Sequence, residues 1–96
     1  MTSHNVDSIL MLDDEFDIMS TFTLALQQQG FHVIGFTEPL LALEHFQENS
    51  EQYGLVISDI RMPVMDGYEF IKKSQGNKTQ CESILYVSVS YRRYSI

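Results

Sequence analysis

The sequence predicts an open α/β sandwich on a parallel sheet, and three observations carry that prediction. Short apolar runs alternate with stretches whose apolar residues recur at three- and four-residue spacing, as strands followed by helices do. The runs Ile9-Leu10-Met11-Leu12 and Leu55-Val56-Ile57 are apolar without interruption, the pattern of strands buried on both faces. The first run ends in Asp13-Asp14, and the second runs through Ser58 into Asp59. Strand–helix alternation needs crossover connections, which are right-handed and leave successive strands parallel.

Each element has its own signal. After the first strand, Ile18, Met19, Phe22, Ala25 and Leu26 predict a helix with that stripe in the core, and Gly30 ends it. Phe31 to Phe36 reads as the second strand. Thr37 is the expected cap of a second helix, with Pro39 in its first turn and Leu40, Leu43 and Phe46 or Gln47 as its buried stripe. The third strand runs through Leu55-Val56-Ile57 into Asp59, and Gly67 opens a third helix through Phe70 and Ile71. His32 and His45 are expected on the surfaces of a strand and a helix.

A chain of 96 residues makes one small domain, residues 1–96, with one core. Six basic residues against thirteen acidic ones give a net charge of −7. That balance argues against nucleic acid or an anionic membrane as partner, because phosphate contacts need Lys and Arg. It suits a site that holds a cation. The single cysteine, Cys81, allows no internal disulfide, which fits a reducing cytoplasm. No basic-then-apolar leader is present, and no apolar run approaches the ~18 residues of a membrane span. Composition breaks at Ser74: twelve of the thirteen acids precede it, and three of the six basic residues follow it. Residues 1–73 and 74–96 are thus two compositional regions of one domain, with a fourth strand expected at 84–89.

In open α/β sheets, ligands gather at the carboxyl ends of the strands. Asp13 and Asp14 end the first strand and Asp59 the third, so neighbouring strands would converge three carboxylates on one crevice. Like charges that close need a compensating cation. A small hard ion such as Mg²⁺ fits, since it takes a few carboxylates and keeps positions for water and phosphoryl oxygens. Acidic residues after a strand also serve as simple helix caps, so the pair alone does not decide between the two roles.

The segment Asp59-Ile60-Arg61-Met62-Pro63-Val64-Met65-Asp66-Gly67 resembles the phosphoacceptor loop of response-regulator receiver domains, and so does the Asp13-Asp14 ending of the first strand, followed by Glu15. The resemblance covers residues 7–73. It implies the flavodoxin-like (CheY-like) doubly wound sheet with strand order 2-1-3-4-5. It implies Asp59 as the phosphorylated aspartate and Mg²⁺ on Asp13, Asp14, Asp59 and the backbone carbonyl of Arg61. It implies a two-component phosphorelay in which a histidine kinase or phosphotransfer protein donates the phosphoryl group. In such a reaction the carboxylate attacks phosphorus and forms an acyl phosphate, and the protein contributes positioning and charge neutralisation.

The resemblance weakens toward the C-terminus. Receivers run to about 120 residues with five strand–helix units, so this chain is expected to form an incomplete sheet without the fifth strand and fifth helix. The family places a Ser or Thr, then a small residue, at the end of strand four; Ser88 falls at that position, followed by Val89. The family lysine of strand five has no counterpart after Lys78. Permitted codons read one nucleotide later from within the Lys73 codon can encode KVKEIKPNVKVFFMSAF, a receiver-like continuation. A frameshift near Lys73, truncating the receiver, accounts for both departures and the composition break; natural divergence of the terminus is the alternative.

Three functions compete. The chain is a signalling receiver, not an enzyme in the turnover sense; or a non-switching remnant acting at most as an interaction module; or a small aspartyl-phosphate phosphatase. The last fits least, because those enzymes typically carry a second Asp two residues after the nucleophile, where Arg61 stands. Self-association through an exposed fourth strand is a further expectation, since that run is β-prone and uncharged.

Overall fold

The structure is a computed structural model that describes residues 8–74 and the backbone of residues 82–86. Four parallel strands form one sheet: β1 (Ser8–Leu12), β2 (Val33–Phe36), β3 (Tyr53–Asp59) and β4 (Glu82–Tyr86), in the order β2-β1-β3-β4. Three helices alternate with them: α1 (Phe16–Gln28), α2 (Pro39–Asn49) and α3 (Gly67–Ser74), with a 3-10 turn at Ser50–Gln52. This is the first four positions of the expected flavodoxin-like order. β4 begins two residues before the expected start of the fourth strand, and the expected residues 87–89, Ser88 among them, lie outside the described residues.

Strand periodicity divides the core between the two faces of the sheet. Leu10, Leu12 and Val56 face α2 and α3, packing with Ala42, Phe46, Tyr53, Met62, Met65 and Phe70. Ile9, Met11 and Val33 face the other way, with Met19, Leu26, Leu55 and Ile57 against them. Every residue of β1 is buried, as its continuous apolar run predicts.

The face under α1 is thinner than its stripe predicts. No residue of α1 is buried: Ile18, Met19 and Leu26 are half-buried, and Phe22 is 47% exposed. Two helices cover the opposite face, while α1 is the helix described on this one, so the flank of the stripe away from the sheet keeps contact with solvent.

Two boundaries differ from expectation for local reasons. The second strand starts at Val33, not Phe31, because the amides there still close the end of α1. Gln29 and Phe31 N–H both donate to the Leu26 carbonyl, and Gly30 N–H to that of Gln27, with Gly30 at φ 98° supplying the left-handed turn. The cap of α2 is Glu38, not Thr37. Pro39 at the first helical position forces the residue before it into extended backbone, and Glu38 sits at φ −116°, ψ 116° with its carbonyl accepting from Ala42. Starting there, the helix buries Pro39, Ala42 and Phe46 and turns Leu40 outward, 57% exposed, so the expected stripe is right at Phe46 and wrong at Leu40.

The histidines also divide. His32 is exposed, as expected, and bonds the Ser8 hydroxyl at 2.7 Å. His45 is instead half-buried and shares a 2.6 Å hydrogen bond with the Tyr53 hydroxyl.

Candidate metal and phosphoacceptor site

The β1–β3 register builds the site. Leu12 stands opposite Ser58 on the last rung of the β1–β3 pair, so one residue further Asp13, just past β1, and Asp59, the last residue of β3, stand side by side. A hydrogen bond from the Asp13 amide to the Phe36 carbonyl, 3.1 Å, ties this end of β1 to β2 as well. Asp14 follows on the turn into α1. One carboxylate oxygen from each of Asp13, Asp14 and Asp59 lies within 4.8 Å of the others; Asp13 and Asp59 are fully buried and Asp14 half-buried.

Backbone amides hold two of these carboxylates. Asp13 Oδ1 accepts from the Glu15 amide at 2.8 Å, and Asp59 Oδ1 from the Arg61 amide at 3.2 Å. Each bond spans two residues, so the turn that follows the strand orients the side chain that ends it. Burial of carboxylates is costly unless they are paired, hydrogen-bonded or bound to a cation.

The loop after β3 is fixed at both ends. Met62 and Met65 drop into the α2–α3 side of the core, while Arg61, Pro63 and Val64 stay exposed. The Gly67 amide donates to the Ile60 carbonyl at 2.9 Å and closes the loop. Asp66 Oδ1 accepts from the Glu69 amide at 2.8 Å, which caps α3. The result is a cleft of about 820 Å³ lined by Asp14, Glu15, Ile60, Arg61, Met62, Pro63 and Asp66.

The donor set fits a hard divalent ion. The three side chains offer carboxylate oxygens, a donor type suited to Mg²⁺, Ca²⁺ or Mn²⁺. Two oxygens on one Mg²⁺ stand at most about 4.2 Å apart. The 4.8 Å within which the three oxygens lie is of that order. Asp13, Asp14 and Asp59 are brought together as the sequence predicts, with Arg61 beside them; Ser88 lies outside the described residues. Tyr86 pairs with Asp59 across β3–β4, two positions short of Ser88. The sequence gives little sign of how the loop is anchored. Met62 and Met65, at three-residue spacing around Pro63, are the signal for that anchoring, and Glu15, 8% exposed, is more buried than an acid after two others suggests.

The sequence profile of the response regulator receiver domain matches residues 9–94. The chain belongs to the receiver-domain family. Among curated relatives, the phosphoglycerate transport system transcriptional regulatory protein PgtA of Salmonella typhimurium is 39% identical over 64 residues, 67% of this chain and 15% of that protein. The receiver protein CpdR of Brucella abortus is 36% identical over 66 residues, 69% of this chain and 53% of CpdR. This receiver domain thus spans about half of CpdR and a small part of PgtA. Among solved structures, response regulator TrrA of Thermotoga maritima, in complex with Mg²⁺-BeF, superposes with a TM-score of 0.78 at 30% identity, covering 94% of this chain and 76% of that one. Chemotaxis protein CheY4 of Vibrio cholerae gives 0.75 at 27% identity, over 92% and 74%. The receiver fold is therefore shared. No helix among the described residues is long and apolar enough to cross a membrane.

Proposed function

We propose that this receiver domain is a phosphoacceptor of a two-component relay, taking a phosphoryl group from the phosphohistidine of a histidine kinase or phosphotransfer protein onto Asp59. One observation carries the proposal: three carboxylates from two strand ends converge within 4.8 Å at the carboxyl edge of the sheet. A relative of the same fold whose solved form is a complex with Mg²⁺-BeF supports it.

Each residue then has a task. A carboxylate oxygen of Asp59 attacks phosphorus while the P–N bond to the donor imidazole breaks, the ring nitrogen keeping the electron pair and taking up a proton. The Arg61 amide on Asp59 Oδ1 limits rotation of the nucleophile, so less orientational freedom is lost on reaction. Asp13, Asp14, Asp59 and the Arg61 carbonyl would hold Mg²⁺, whose positive charge offsets the charge on the phosphoryl oxygens. Ser88 would donate a hydrogen bond to the phosphoryl group. The domain modifies itself rather than turning over a substrate, and a donor charged from ATP places it in the cytoplasm.

Acetyl phosphate with Mg²⁺ tests this directly. Intact-mass analysis is expected to show one phosphoryl adduct, mapped to Asp59 and absent from Asp59→Asn. An adduct that persists in Asp59→Asn refutes the assignment.

A further inference from the structure

We propose that the Arg61 side chain binds the phosphoryl group carried on Asp59 and supplies its countercharge. The proposal rests on the phosphoacceptor role of Asp59 and adds to it a ligand for the phosphoryl oxygens. The backbone of Arg61 is tied to the acceptor, its amide donating to Asp59 Oδ1.

The charge balance of the cleft calls for a cation. Asp14 belongs to the cluster with Asp13 and Asp59, and Glu15 and Asp66 line the cleft with it. A divalent ion leaves three clustered carboxylates with net negative charge. Phosphorylation then turns one of them into a dianion, and a like-charged neighbourhood opposes that step. Among the described residues that line the cleft, Arg61 is the basic one. The other described basic residues sit on α3, where Lys73 pairs with Glu69 at 3.4 Å.

Position and chemistry agree with that task. The Arg61 amide is held on Asp59 Oδ1 at 3.2 Å, so the side chain starts beside the attacking carboxylate whatever rotamer it takes. Residue Arg61 is exposed on the rim, between half-buried Ile60 and the buried Met62 anchor, so its side chain reaches an arriving group without unpacking the core. The guanidinium presents parallel N–H donors that match two oxygens of a tetrahedral phosphoryl group.

The test uses the full chain and two probes, Mg²⁺ alone and beryllofluoride with Mg²⁺, the latter a tetrahedral phosphoryl mimic. Arg61→Ala is expected to weaken beryllofluoride binding by on the order of tenfold or more, the weight of a charge-assisted contact. Arg61→Glu should weaken it further and Arg61→Lys restore most of it. Mg²⁺ affinity measured alone should stay the same or rise slightly in Arg61→Ala, since the carbonyl remains and a like charge is gone. The rate of labelling by acetyl phosphate, in which Asp59 displaces acetate from phosphorus, should fall in parallel. Equal beryllofluoride affinity in wild type and Arg61→Ala overturns the role of the side chain and leaves the acceptor assignment standing. An equal loss of Mg²⁺ affinity also overturns it, by showing a loop disturbed as a whole. A wild-type chain that takes neither beryllofluoride nor label overturns both.

Discussion

The Tyr53 hydroxyl and His45 Nε2 lie 2.6 Å apart, joining the first residue of β3 to the middle of α2. Tyr53 is 3% exposed and packs its ring against His45 and Phe46, with centroids 5.6 Å away in each case. Asn49 donates to the His45 carbonyl at 2.9 Å from the next turn of the helix. This polar contact sits at the end of the sheet opposite the acidic cleft, so it is a stability device separable from the site.

Burial pushes the Tyr53 phenol above its ordinary value of 10.0. The unfolded chain therefore ionises this group first as pH rises. Stability that the protonated phenol provides is intact below pH ~10 and is lost as pH climbs through the raised folded value. Thermal melts between neutral and strongly alkaline pH should show a steep alkaline decline in wild type and a shallower one in Tyr53→Phe. At neutral pH the same variant should be less stable by about 1 kcal/mol for the lost hydrogen bond. Parallel alkaline declines in the two proteins would contradict the assignment.

Phe46 is the largest fully buried side chain of α2, at the centre of the cluster that also holds Leu10, Val56 and Phe70. Phe46→Ala should destabilise the domain by about 3–5 kcal/mol. Against a total of about 5–15 kcal/mol for a domain, that leaves little margin. Urea unfolding should shift to a much lower midpoint. Leu40→Ala, at an exposed position on the same helix, should move it by less than about 0.5 kcal/mol.

How much of this was legible in the sequence depends on how local the cause is. Asp13, Asp14 and Asp59 are legible because a continuous apolar run fixes each strand, and the acid at its end has one place to go. Leu40 is not, because a helical stripe read from spacing leaves the rotation of the helix open. That rotation is set by Pro39 fixing the first turn and by what Phe46 meets on the sheet. The α1 stripe has clear periodicity, yet its burial depends on how many neighbours share that face, which spacing does not report. His45 reads as a surface histidine until Tyr53, eight residues on, supplies its partner. Met62 and Met65 look like loop residues because their three-residue spacing around Pro63 is only a faint local sign that the loop folds back on the core.

Metal affinity should depend on Asp14 most simply, since this half-buried acid lies on the turn and not in the sheet. Asp14→Ala removes one ionised ligand, worth about 1.5–3 kcal/mol, so Mg²⁺ affinity should fall by about ten- to a hundredfold. Calorimetric titration, or amide shifts of Asp13, Asp59 and Arg61 during Mg²⁺ addition, would read this. An unchanged affinity would remove Asp14 from the ligand set.

The convergence of Asp13, Asp14 and Asp59 should make Asp59 a metal-dependent nucleophile toward phosphorus. The most direct measurement follows acetyl phosphate labelling by intact mass with Mg²⁺ present, with Mg²⁺ chelated, and in Asp59→Asn. A single adduct that maps to Asp59 and needs Mg²⁺ is the predicted result. Labelling that is equal with and without Mg²⁺, or that survives in Asp59→Asn, would contradict it.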